Sequence, residues 1–143
     1  MDTTLYERND EELTAQVIQA MGWSIFEYPE SIPDQDEDGS PSTSEVSFYG
    51  LKRADGTVYY KGGPFKDEIF KTVTVNSMHF MGILLGHLTN NNFIVTMTAT
   101  KTSSEVSIGL VGDSSTEIIV KRGDANTLPR VLAEAFISYN KQN

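Results

Sequence analysis

Between Phe48 and Lys71 the chain interleaves six aromatics (Phe48, Tyr49, Tyr59, Tyr60, Phe65, Phe70) with five bases (Lys52, Arg53, Lys61, Lys66, Lys71). Aromatic faces stack on nucleobases, while lysine and arginine meet phosphate, arginine bidentately. Gly62-Gly63 would let the backbone approach a ligand closely. The candidate ligand-binding residues here are Tyr49, Lys52, Arg53, Tyr59, Tyr60, Lys61 and Lys66. The competing account is structural, because tyrosine and phenylalanine are favoured in strands and exposed lysine is ordinary. A second cluster, Lys121, Arg122, Thr127 and Arg130, surrounds the start of the last helix. The free N–H groups and dipole at such a helix start favour an anion.

Catalytic constellations are thin. His79 and His87 are eight residues apart, about two helical turns, too far to share one ion. There is no cysteine, which excludes disulfides, thiolate catalysis and cysteine-based zinc sites. No phosphate-binding glycine loop, dinucleotide fingerprint or nucleophile elbow is present. Asp34, Asp36, Glu37 and Asp38 superficially resemble a calcium loop, but Gly39 is misplaced and Glu45 comes too early to close it. The expectation is a non-enzymatic binding protein with no cofactor and no metal.

The charge is unevenly placed. Residues 1–48 hold twelve acids and one base, Arg8, whereas residues 49–143 hold eight acids and ten bases. A net charge of −9 argues against general nucleic-acid binding, which needs a basic face to displace counterions. The split leaves the back two-thirds free to present a basic site for a small anion. No apolar run is long enough to span a bilayer and no basic-then-apolar leader is present, so a soluble intracellular protein is expected.

These residues need a scaffold, and 143 residues suit one domain. Asn9 or Asp10 caps a helix ending near Gly22, with Leu13, Val17, Ala20 and Met21 on one face. Residues 29–45, with three prolines and a run of acids, read as a mobile loop. A hairpin follows at about 46–62, turning at Asp55-Gly56. Ser77 caps a helix, MHFMGILLGHL, apolar on nearly every side and expected to be buried. Residues 93–99, 105–111 and 117–121 read as an antiparallel meander, with a turn at Gly112–Ser115. In the last helix Thr127 is the N-cap and Pro129 sits in the first turn, where its missing N–H costs nothing. Leu128, Leu132, Ala135 and Tyr139 point to the sheet. The fold class is α+β, with helices packed on an antiparallel sheet in α/β/α sandwich-like layers.

Three features in order carry a family resemblance. They are a helix running into Met21-Gly22-Trp23, a middle helix leading through Asn91-Asn92-Phe93 into a strand, and a last strand followed by Asp124, Thr127, Leu128, Pro129 and Ala135. Together they resemble the phage ABA-sandwich family of small bacteriophage and prophage proteins, over residues 10–24 and 76–140. Residues 29–75 depart from that pattern. The family's fold is similar to that of phage sponge proteins that sequester host nucleotide signals, such as Thoeris anti-defence proteins. The resemblance implies an anti-defence protein in the bacterial host cytoplasm whose partner is a small nucleotide signal, and a homo-oligomer is the default expectation for a small symmetric binder. An alternative is an acidic inhibitor that contacts a host defence protein through Asp34, Asp36, Glu37 and Asp38. A third is a virion or assembly role, for which no sequence feature speaks.

Overall fold

The computed structural model describes residues 9–123 and 127–142. It is an α+β chain with four α-helices and two three-stranded antiparallel sheets among the described residues. Where the sequence suggests one domain, the chain gathers into two compact units. Gly22–Thr72 forms one, and the described residues up to Met21 with those from Val73 onward form the other.

The two-segment unit begins with α1 (Asp10–Ala20), whose N-cap Asn9 accepts a hydrogen bond from Glu12 N at 2.8 Å. Asp10, Glu11 and Glu12 meet the positive end of its dipole. Gly22, at φ +81°, ends it in the left-handed conformation that glycine tolerates best. Thr14 lies fully buried within the helix. It is satisfied because its hydroxyl donates to Asp10 O at 2.6 Å and accepts from Val75 N at 2.9 Å. The helix of the Met78–Asn90 segment, here α3 because a single turn, α2 (Ile69–Thr72), precedes it, is capped by the Ser77 hydroxyl.

Strands β4 (Phe93–Ala99), β5 (Ser104–Leu110) and β6 (Asp113–Arg122) form the expected meander. The third strand starts earlier than the sequence suggests, since only Val111 and Gly112 make the turn. Register places Val95, Ile108 and Ile118 in one row and Met97, Val106 and Val120 in the next, on one face. Helix α4 (Leu128–Gln142) covers that face, with Phe93 edge-on to Tyr139 at 5.0 Å.

Two expectations about the core need correcting. Helix α3, the more apolar one, buries only the stripe Phe80, Leu84 and Leu88 and leaves Met78 67% exposed. It is α4 that is enclosed, with every residue from Val131 to Ile137 buried. Packing explains this, because α4 touches β5 and β6 on one side and α1 and α3 on the other. Helix α4 is therefore held between the sheet and the other two long helices, α1 and α3. The far face of the sheet is open, with Ile94 54% and Ile119 56% exposed.

Enclosing α4 also encloses Glu134, which is 1% exposed. Arg122 of β6 brings Nε to 3.2 Å from its Oε2, and Arg130 places Nε 3.8 Å from its Oε1. Arg130 continues to Asp10 of α1 at 2.5 Å. One carboxylate thus ties the sheet, the central helix and, through Arg130, the first helix.

The Gly22–Thr72 unit holds β1 (Ser24–Gln35), β2 (Pro41–Lys52), β3 (Val58–Lys61) and α2, whose Ile69 is buried. The segment 29–45, read as a mobile loop, is instead the greater part of a twelve-pair antiparallel ribbon from Ser24↔Lys52 to Gln35↔Pro41. At roughly 3.3 Å per residue its arms are about 40 Å long. Its prolines do not break it, for a reason of parity. Tyr49 N donates to Gly63 O and Tyr49 O accepts from Gly62 N, so Tyr49 turns its backbone away from β1. Its partner Glu27 therefore turns away from β2, and Pro29 and Pro33 share that parity. By the same rule Pro41 faces outward. Each missing N–H falls where no ladder bond is needed. Gly39, at φ +84°, closes the tip, where Asp36 O accepts from Gly39 N at 2.8 Å.

The buried cluster sets two expectations. Arg122→Met leaves Glu134 short of a guanidinium and costs about 3–5 kcal/mol in urea unfolding, whereas replacing Arg122, Arg130 and Glu134 together with apolar residues recovers most of it. Burial pushes the Glu134 carboxyl up, with Arg122 and then Arg130 pulling it down less strongly. A raised carboxyl binds its proton more tightly folded than unfolded. Its stabilisation is therefore complete below the unfolded value of about 4.3 and is lost as pH rises through the folded value. Glu134→Gln should flatten the fall of melting temperature with pH above about 4.3.

Candidate ligand-binding face

Cross-strand register decides which side chains share a face of the β1–β2–β3 sheet. Phe26 pairs with Gly50, which pairs with Lys61; Tyr28 pairs with Phe48, and Ser24 with Lys52. Side chains of directly opposed residues project to the same side, so three rings and two ammonium groups meet on one surface. Phe26 and Tyr28 have centroids 5.6 Å apart, and Tyr28 and Phe48 are 6.0 Å apart, edge to face. Lys52 Nζ lies 5.7 Å from the Phe26 centroid and Lys61 Nζ 5.2 Å from that of Tyr28. The three rings are half-buried and so keep accessible area.

Gly50 makes the arrangement possible. A Cβ there would lie 2.6 Å from the Tyr60 carbonyl oxygen and 2.8 Å from Phe26 Cε1. The missing side chain is the space into which Phe26 lies across β2. The Tyr28 hydroxyl donates to Gly62 O at 3.0 Å, fixing its ring. Partial burial, then Glu30 and Tyr60, push its phenol pKa up, so it stays protonated.

A second aromatic–cation group lies at the β2–β3 turn. The Trp23 and Tyr59 centroids are 5.1 Å apart, and Arg53 Cζ is 5.8 Å from the first ring and 5.3 Å from the second. Arg53 also donates to Thr57 Oγ1 at 3.2 Å and to Val58 O at 3.4 Å. The turn runs through Asp55-Gly56 as its composition predicts; Gly56 takes φ +88° and Asp55 Oδ1 accepts from Thr57 N and Oγ1. Those Thr57 bonds hold the Asp55 carboxyl below its ordinary range.

The residues singled out in the sequence separate. Lys52 and Lys61 share the ring-bearing face, and Arg53 and Tyr59 form the turn group. Tyr49 and Tyr60 belong to the opposite face, by their pairing with Glu27 and Leu51. Lys66 is exposed on the short 3₁₀ turn Lys66–Glu68. Lys121, Arg122, Thr127 and Arg130 lie in the other unit. There the expected anion site gives way to structure, because Arg122 and Arg130 are committed to Glu134 and Asp10. Lys121 is exposed at the end of β6. Thr127 directly precedes α4, but Asp124 and the two residues after it lie outside the described residues. The sequence reading passed over Trp23, Phe26 and Tyr28. Their signal is the alternation Phe26, Tyr28 on one strand against Phe48, Gly50, Lys52 on the next.

Among the described residues no group of three or more His, Asp or Glu side chains is placed to hold a metal ion. His87 packs edge-on to Phe136 at 5.9 Å, and burial lowers its pKa. No helix of the described residues is long and apolar enough to cross a membrane. No family model matches the chain, and no curated protein or solved structure matches it significantly.

Gly50→Ala should be the diagnostic substitution for this face. Its new methyl has backbone on one side and the Phe26 ring on the other, so overpacking should cost about 1–3 kcal/mol in chemical denaturation.

Proposed function

We propose that the protein is a non-enzymatic binder of a small nucleotide-derived ligand, held on the Phe26–Tyr28–Phe48 face and withheld from its receptor. The observation that carries this reading is the placement of three half-exposed rings and two lysines on one sheet surface over Gly50. Magnitudes favour ligand over resting state. An exposed ammonium over a ring is worth about 0.5–1 kcal/mol, whereas a base stacked on an aromatic is worth about 1–3 kcal/mol. An incoming base therefore displaces Lys52 or Lys61 from its ring, and the freed ammonium meets the phosphate. The acids of the same unit disfavour long polyanions, which leaves a small, singly docked ligand. The resemblance to phage ABA-sandwich proteins supports a role as an anti-defence sponge in a bacterial host, and a homo-oligomer is the default for a small symmetric binder.

Native mass spectrometry after exposure to bacterial lysate and a panel of nucleotides and ADP-ribose derivatives should show an unaltered small molecule retained at fixed stoichiometry. Tyr28→Ala and Phe26→Ala should each weaken its binding by about 1–3 kcal/mol. Unchanged affinity in both would remove this face from the function.

A second reading has its own observation. From Ser24 to Leu51 the ribbon carries seven carboxylates and no base, with those of Asp34, Asp36, Glu37 and Asp38 near the tip. Such a projection would engage a basic surface on a host defence protein and steer its approach. Under this reading inhibition weakens steeply with salt, and converting the four tip acids to amides abolishes it while leaving nucleotide retention intact.

A further inference from the structure

The open face of the β4–β5–β6 sheet is not flat. Ile108 pairs with Ile118 and Leu110 with Asp113, so the single residue Gly109 stands opposite residues 114–117. The longer strand bows out around the residue that has no side chain, and a hollow of about 390 Å³ results. Ile94, Thr96, Ser107, Gly109, Asp113 and Glu117 contribute to its lining. That volume is within the range of small-ligand sites, about 300–1,000 Å³.

Its chemistry is one-sided. Asp113 and Glu117 bring two carboxylates, Thr96 and Ser107 two hydroxyls, and among the described residues no base lines the hollow. Asp113 Oδ1 accepts from Ser115 N at 3.1 Å and Ser115 Oγ at 2.6 Å, which orients the group and leaves Oδ2 available. Glu117 makes no hydrogen bond or ion pair among the described residues and is exposed. Ile94, 54% exposed, supplies an apolar wall. A bare divalent cation would want more oxygen ligands than two carboxylates offer and would gain nothing from Ile94. A cation carried on a hydrocarbon stem uses every part of the lining.

We propose that this hollow binds an organic cation, an alkylammonium or guanidinium group. Its stem lies over Gly109 against Ile94 and its charge lies between Asp113 and Glu117. The Thr96 and Ser107 hydroxyls accept its remaining N–H groups. A free amine and a lysine side chain of another protein present the same group, and the experiment separates them.

Backbone amide shifts would be followed by NMR during titration with cadaverine and, separately, with the blocked tripeptide acetyl-Ala-Lys-Ala-amide. Saturable shifts centred on Gly109, Gly112 and Glu117 are expected. Response to the diamine alone assigns a free amine, and response to the peptide assigns a protein lysine. Gly109→Val fills the floor; its Cβ comes no nearer than 3.7 Å to Glu117, an ordinary contact, and β-branched residues suit a strand. It should abolish binding, and Glu117→Gln, an exposed change that leaves folding intact, should weaken it about tenfold or more. Unsaturable shifts spread over the carboxylates of the β1–β2 ribbon, or binding unchanged in both variants, would overturn the proposal.

Discussion

A carboxylate taken out of water is tolerated only when its charge is answered, and Glu134 is the point at which the two-segment unit meets that demand. Desolvating such a group costs several kcal/mol, which its partners must return through close geometry. Arg122 and Arg130 return part of that cost from a strand and from the preceding helical turn, and Asp10 in α1 holds Arg130 in turn. Hydrophobic contacts alone would let α4 rotate or slide against the sheet at small cost, because its surroundings are apolar on several sides. The ion-paired cluster fixes both, since each charged group has few alternative positions. The basic residues at the start of α4 are thereby committed to architecture.

That commitment moves the functional question to the Gly22–Thr72 unit. Its sheet buries comparatively little; Leu51 and Ile69 are its enclosed side chains, while its rings remain partly in solvent. Aromatic side chains left half-exposed on a surface, with lysines resting against them, form weak and exchangeable contacts. Such contacts suit a surface that must give them up to something else.

Much of this was legible in the residues. The caps at Asn9 and Ser77, the left-handed Gly22 and Gly56, and the alternation in β4 and β5 each act locally, and each can be recognised from neighbours alone. The placement of α3 and α4 was not legible, because burial depends on what surrounds a helix and not on its composition. An apolar helix at the edge stays half-exposed, and one carrying Glu134 can be central if its charge is met. The ribbon was hidden for another reason. Pro41 to Glu45 offers no apolar residue to mark alternation, and proline reads as a breaker unless the side of the strand it faces is known. On the candidate face, Lys52 and Lys61 were found from their types. Tyr49 and Tyr60, picked out by the same criterion, lie on the other face, because register, which sorts odd from even positions, comes from pairing across strands.

The parity of Pro29, Pro33 and Pro41 has a further consequence. A long two-stranded ribbon presents backbone along both margins, and such margins ordinarily recruit other strands, as in fibrils and domain swaps. Here each proline removes a donor on the outward side, and the carboxylates along the arms repel a like copy brought alongside. The ribbon can therefore be read by its side chains while being closed to strand addition. A protein that exposes about 40 Å of β-structure is in this way protected from fibril-like growth along its strand edges.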